Sequence, residues 1–230
     1  MKIPLSPRLQ ACSRYVHPGD RVADVGCDHG YLGIHLLIEG TASRVIASDV
    51  NEGPLQSAVR NAEKYGVRSR MSFHLSDGVQ NIPRDFDCMV CAGMGADTMI
   101  SILEAAPWLH SKQYRLILQC QSKTHMLRQY LSEQGWHIAR ETVLRDGRFL
   151  YTVMEVLWEP GHLLTPAQCY FSPALLEDPA PELPEYYRRV VGGLQLAVDN
   201  RGADSAADLA AVLQELQQTP ALQFLKGETP

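Results

Sequence analysis

The chain has 230 residues, 45% of them hydrophobic, with 17 glycines and 14 prolines, enough for one ordinary domain with its own core plus a modest appendage. No apolar run approaches the ~18 residues of a membrane span, and Met1-Lys2-Ile3-Pro4-Leu5 lacks the apolar stretch and cleavage site of a signal peptide, so a soluble, cytoplasmic protein with no membrane partner is expected. The net charge of −5 belongs to the tail, because residues 1–160 carry 17 Lys/Arg against 17 Asp/Glu while residues 161–230 carry 4 against 9.

In chain order, Arg21 to Gly26 reads as a strand ending at a glycine, and Tyr31 to Ile38 as a helix with Leu32, Leu36 and Ile38 at helical spacing. Val45–Asp49 reads as a second strand, Gly53 to about Tyr65 as a helix, and Met71–Leu75 as an alternating strand. Cys88–Ala92 is a continuous apolar run, the pattern of a central strand covered on both faces. A helix from Thr98 to Ala106 stops near Pro107, a strand follows at Leu116–Gln119, and a helix runs from Thr124 to Gln134 before Gly135. Ile138–Leu144 and Phe149–Leu157 flank Asp146-Gly147, a hairpin signal that closes the sheet with an antiparallel pair. The alternation predicts βαβ crossovers and an α/β fold built on a mainly parallel sheet of seven strands.

Residues 160–184 hold six prolines and read as a linker or irregular connection, which divides the chain into units 1–160 and 161–230. Beyond it, Glu185–Asn200 puts Tyr187, Val190, Val191, Leu194 and Val198 on one helical face. Asn200-Arg201-Gly202 supplies a stop, and Asp204-Ser205 can cap a second helix that buries Leu209, Val212, Leu213 and Leu216. These two helices predict an αα-hairpin. Gly192-Gly193 weakens the first of them, so a close contact is expected there.

Ligands of open α/β sheets bind outside the carboxyl ends of the strands. The candidates at those ends are Asp24, Gly26, Cys27, Asp28 and Gly30 after the first strand, Asp49 and Val50 after the second, Asp77 and Gly78 after the third, and Ala92, Gly93 and Met94 after the fourth. A carboxylate about twenty residues beyond a glycine turn suits a ribose diol, and an acid after the third strand suits the amine of adenine. The G-x-G-x-x-G dinucleotide fingerprint is missing, and Asp28 would repel a pyrophosphate but not a sulfonium. S-adenosylmethionine is therefore the cofactor expected, in a Rossmann-like methyltransferase fold.

Val22 to Leu32, together with Asp49-Val50-Asn51-Glu52-Gly53-Pro54-Leu55, Asp77-Gly78 and Ala92-Gly93-Met94-Gly95, resembles the TrmK family. Arg8-Leu9 and the general layout are similar as well. The resemblance covers about residues 5–158 and implies a tRNA (adenine(22)-N1)-methyltransferase with a C-terminal helical pair, hence tRNA as partner. Two places depart from the family pattern: Ala96 follows Gly95, and Gln119-Cys120-Gln121 stands where the family typically has Gln-Pro-Asn. Methyl transfer to another RNA or to a small molecule, or a non-catalytic fold that binds the cofactor, stay open as alternatives.

Asp28 is the expected catalytic carboxylate, since alkylation of a ring nitrogen develops positive charge on the base; the family motif points to the same residue. His29 and Tyr31 flank it as candidates for orienting base or cofactor, with loop packing as the plainer reading. Gly93-Met94-Gly95 replaces the Asn/Asp-Pro-Pro-aromatic signature of relatives that methylate amino groups, which favours a ring nitrogen. No metal is expected: Cys88 and Cys91 of the one C-x-x-C lie on opposite faces of a strand, the six cysteines read as reduced core thiols, and a metal set of Asp24, Asp28, His29 and Asp49 is a minor alternative. Lys2, Arg8 and Arg14, and a run of seven Lys/Arg within residues 112–148, read equally as phosphate contacts or as solvated surface. A monomer is the favoured state.

Overall fold

The computed structural model describes residues 3–200, 203–223 and 225. Strands β1 (Asp20–Val25), β2 (Ala42–Asp49), β3 (Met71–Leu75), β4 (Cys88–Met94), β5 (Arg115–Cys120), β6 (Trp136–Asp146) and β7 (Phe149–Trp158) form one sheet ordered β3-β2-β1-β4-β5-β7-β6. The first five run parallel, and β7 is antiparallel to both β5 and β6. Seven strands, mainly parallel, ending in an antiparallel pair across Asp146-Gly147, is the architecture the sequence predicts.

Side chains alternate across a strand, and the two cores follow that rule. Val22, Cys88, Val90 and Ile117 face one layer, built with α1 (Pro7–Ser13), α2 (Tyr31–Ile38) and α3 (Glu52–Lys64). Ala23, Met89, Cys91 and Leu116 face the other, built with α4 (Ala96–Glu104) and α5 (Thr124–Glu133). Cys88 and Cys91 thus point to opposite faces, and all six cysteines are buried free thiols.

A third core gathers Phe171, Leu183, Tyr187, Leu194, Val212, Leu213 and their neighbours with Val143 of β6. It is built by α6 (Pro173–Glu177), α7 (Leu183–Asp199), α8 (Ala203–Gln218) and α9 (Pro220–Gln223), with α7 packed along α8 as the expected hairpin. The proline-rich stretch is an ordered connection. Phe171 and Ser172 are buried, and Ser172 caps α6 by accepting the Leu175 amide. Arg201 and Gly202 of the expected stop lie outside the described residues, and α8 is described from Ala203, so the backbone of Asp204 and Ser205 falls within the helix rather than ahead of it.

Gly192 and Gly193 depart from expectation. Both are exposed, and an added Cβ at either would meet nothing within 4 Å among the described residues. No contact there explains the pair. Helix α1 was not expected either, although Ser6 at its N-cap and Pro7 in its first turn are ordinary start signals.

Candidate active site

The chain lays down β1, β2 and β3 outward on one side, then crosses over to place β4 on the other flank of β1. That reversal makes the carboxyl ends of β1 and β4 the switch point of the sheet, where a crevice must open. A cleft of about 400 Å³ opens there. Its walls include Gly26 and Asp28 from the first loop, Asp49 and Val50 from the second, Asp77 and Gly78 from the third, and Ala92, Gly93 and Met94 from β4. Four segments spread from Gly26 to Met94 in sequence therefore converge, as their positions at successive strand ends require.

The first loop is shaped by backbone conformation. Gly26 has φ 70°, and its N–H and that of Cys27 both donate to the Ser48 carbonyl at 2.9 Å. A Cβ at Gly26 would lie 2.2 Å from Met94 Cε, so Met94 lies directly across this glycine. Asp28 is left-handed at φ 49°, unusual for a residue with a side chain. Its amide donates to Asp49 Oδ2 at 3.0 Å, and the Asn51 amide donates to Asp49 Oδ1 at 2.9 Å. Each Asp49 oxygen thus takes one backbone N–H and keeps acceptor capacity for a ligand. Asp77 is exposed on the cleft wall beside it.

The remaining expected residues sit behind or beside the cleft. Asp24 is buried under the loop, and its Oδ2 accepts the Gly33 amide at 3.3 Å. Burial raises its pKa to about 7; the Gly33 N–H opposes the shift and the charge of Asp49 adds to it. Cys27 is buried, and burial, followed by the charges of Asp24 and Asp49, pushes its thiol far up. Gly30 caps α2 at φ 71°, where a Cβ would come within 2.9 Å of Ala58. His29 Nε2 stands 3.6 Å from Asp28 Oδ1, Tyr31 stands 6.0 Å from the His29 ring, and neither lines the cleft. Asp24, Asp28, His29 and Asp49 do not bring their ligand atoms together, unlike a group at the other end of the sheet.

Residues 5–154, well over half the chain, match the sequence profile of the methyltransferase domain family. The chain belongs to the methyltransferase domain family. A Bacillus subtilis tRNA (adenine(22)-N(1))-methyltransferase is 33% identical over 154 residues, 66% of this chain and 65% of that protein. A Mycoplasma genitalium relative matches at 30% over 61% of its length, so the chain spans a little under two thirds of these curated relatives. Solved structures extend the likeness through the tail. Streptococcus pneumoniae Sp1610 in complex with S-adenosyl-L-methionine superposes with TM-score 0.82 at 27% identity, over 96% of this chain and 99% of that one. The B. subtilis m1A22 tRNA methyltransferase TrmK gives 0.80 at 25% identity, over 98% of each. The TrmK membership implied by the motifs is borne out.

In this methyltransferase domain, the cleft wall also includes Arg8, Asn51, Ser76, Thr98, Ile102 and Gln121, none of them among the expected catalytic or cofactor-binding residues. Arg8 arrives on α1 and lies over Gly93, with Nη1 3.3 Å from where a Cβ there would stand; Gln121 Nε2 is 3.6 Å from the same point. Gln119 is fully buried, and its side-chain oxygen accepts the Gly93 amide at 3.0 Å. The Gln119-Cys120-Gln121 departure therefore bears on the cleft: Gln119 fixes the β4 bulge at Gly93, and Gln121 lines the wall.

The basic run at 112–148 does not form a free stripe. Arg115 pairs with Asp20 and Glu155, Arg140 with Glu155, Lys123 with Asp97 and Arg145 with Glu185. Arg128 is fully buried against Glu141. Among the described residues only Lys112 and Arg148 of the seven have no acidic partner.

Proposed function

We propose that this chain transfers a methyl group from S-adenosylmethionine to N1 of adenine 22 in tRNA, with the cleft between β1 and β4 as the reaction site. The observation that carries the reading is the Asp49 carboxylate, held by the Asp28 and Asn51 amides beside the exposed Asp77. Two carboxylates so placed suit a ribose diol and an adenine amine, and an Asp28 side chain 70% exposed at the mouth suits a cation better than a pyrophosphate. Full-length likeness to TrmK structures supports the choice of acceptor.

When bound, the cofactor supplies an electrophilic methyl on a sulfonium. Asp49 would accept hydrogen bonds from the ribose hydroxyls and Asp77 from the adenine amine, with Val50, Gly78, Ala92 and Gly93 as walls. Asp24, Cys27 and Gly30 act from beneath, holding the first loop against α2 and α3. Met94 gives a soft apolar contact across Gly26. N1 of the target base already carries a lone pair, so the chain must chiefly align it in line with the carbon–sulfur bond. Methylation at N1 would leave positive charge on the base. Asp28 stabilises that charge and can take up the N6 proton. His29, 3.6 Å from Asp28, positions it, and Tyr31 packs behind His29. The methyl-transfer unit ends near residue 160, and the helical tail from 161 has its own core, apart from Val143 and Leu150.

Calorimetry with S-adenosylmethionine, followed by methyl transfer to unmodified tRNA, tests the reading. Wild type is expected to bind and turn over. Asp28→Asn should bind the cofactor but lose turnover. Absence of cofactor binding by wild type, or transfer to non-RNA acceptors alone, would overturn it.

A further inference from the structure

The end of the sheet opposite the cleft carries a second constellation of ligating side chains. His137 lies at the start of β6, paired with Leu157 of β7, which in turn faces Arg115 at the start of β5. Glu159 and His162 follow β7, where the chain leaves the sheet for the helical tail. The His137 and His162 rings are 4.0 Å apart between centroids, tilted by 33°. One ligand atom from each of His137, Glu159 and His162 lies within 4.8 Å of the other two. The two histidines line a cleft of about 340 Å³ together with Leu163, Leu164, Gln168 and Glu177 of the tail segment.

We infer that His137, Glu159 and His162 form a divalent transition-metal site, with Zn²⁺ as the ion the donor set fits. Two imidazoles and one carboxylate are the ligands of a borderline cation, whereas Mg²⁺ or Ca²⁺ would require an oxygen shell. Three protein ligands leave a fourth position for water, the usual count for an open tetrahedral zinc site. Bonds of ~2.0–2.1 Å place the ligand atoms roughly 3.3–3.5 Å apart, so closure asks for about an ångström of movement. The exposed Glu159 and His162 can supply it against the strand-held His137. Glu-x-x-His on one segment and a lone histidine 22 residues earlier give no sequence motif, and only the β6–β7 pairing brings them together. Set against the cofactor cleft across the length of the sheet, the ion has no part in methyl transfer; it would pin the exit of the tail to the edge of the sheet.

The test uses the tag-free full-length chain, stripped with chelator and titrated with Zn²⁺ alone against a chromogenic competitor. One equivalent is expected to bind and to raise the thermal midpoint. His162→Ala and Glu159→Gln change exposed side chains, so their metal-free midpoints should match wild type. Their Zn²⁺ affinity should fall by more than about tenfold, the loss that even an outer-sphere change produces, and the thermal shift should vanish. Substoichiometric binding by wild type, or equal affinity and equal thermal shift in both variants, would overturn the assignment.

Discussion

Replacing Glu141 by glutamine is expected to destabilise the protein severely, because the carboxylate neutralises a buried guanidinium that joins the sheet, α5 and the tail. Arg128 and Glu141 side chains are 1% and 0% exposed. Arg128 donates from Nη2 to Glu141 Oε1 at 2.7 Å and from Nε to both carboxylate oxygens at 3.1 Å. Its Nη1 donates to the carbonyls of Cys169 and Tyr170 at 2.9 Å, and the Ser172 hydroxyl donates to Glu141 Oε2 at 2.6 Å. Glu141→Gln keeps the shape but leaves a buried, uncompensated cation, which costs about 3–5 kcal/mol. For a chain of this size each kcal/mol lowers Tm by ~2–4 °C, so a fall of roughly 6–20 °C follows. Urea denaturation followed by circular dichroism should show the loss. Arg128→Met combined with Glu141→Leu should cost less than the two single changes added together, since both charges then leave the core. A Glu141→Gln variant within about 1 kcal/mol of wild type, the range of an exposed pair, or strict additivity in the double variant, would refute the reasoning.

Asp49→Asn should weaken S-adenosylmethionine binding by roughly 10–150-fold, the equivalent of about 1.5–3 kcal/mol for hydrogen bonds to a charged group; calorimetry checks it. Gly26→Ala should cost about 1–2 kcal/mol in backbone strain and drive Met94 into the cleft, so calorimetry should also show cofactor affinity reduced by roughly tenfold or more. The Asp24 pKa, raised by burial from 3.8 to about 7, means the folded state holds a proton that the unfolded state has lost. Wild type should therefore lose stability relative to Asp24→Asn as pH rises from about 4 to about 7 and no further above; parallel denaturation curves at pH 5 and pH 8 would contradict this. Gly192→Ala and Gly193→Ala should each stabilise by about 0.5–1 kcal/mol, because the helix gains propensity and an added Cβ meets no neighbour, as thermal denaturation will show.

The sheet was legible because its signals are local. Met71–Leu75 alternates and Tyr31–Ile38 has helical spacing, and both elements have the predicted ends. The acids of the cleft were legible for a related reason: a parallel sheet sends every strand end to the same edge, so Asp28, Asp49 and Asp77 must meet. Helix α1 escaped because seven residues with only Ala11 and Cys12 buried carry no periodicity. Its Arg8 then reached the cleft through packing that no spacing encodes. The charge run at 112–148 stayed open between two readings for the opposite reason. Its partners Asp20, Glu155 and Glu185 lie far away in sequence, and within the run Arg128 and Glu141 are buried by the tail connection, so a count of charges could not show that most are already paired.

Methyl transfer to paired tRNA transcripts, identical except for adenine or guanine at position 22, tests the central claim most directly. With S-adenosylmethionine as donor, the wild-type chain should place one methyl on N1 of adenine 22, read as a block to reverse transcription at that position, and none on the guanine transcript. Equal methylation of both transcripts, or a methyl mapped to any other position, would contradict it.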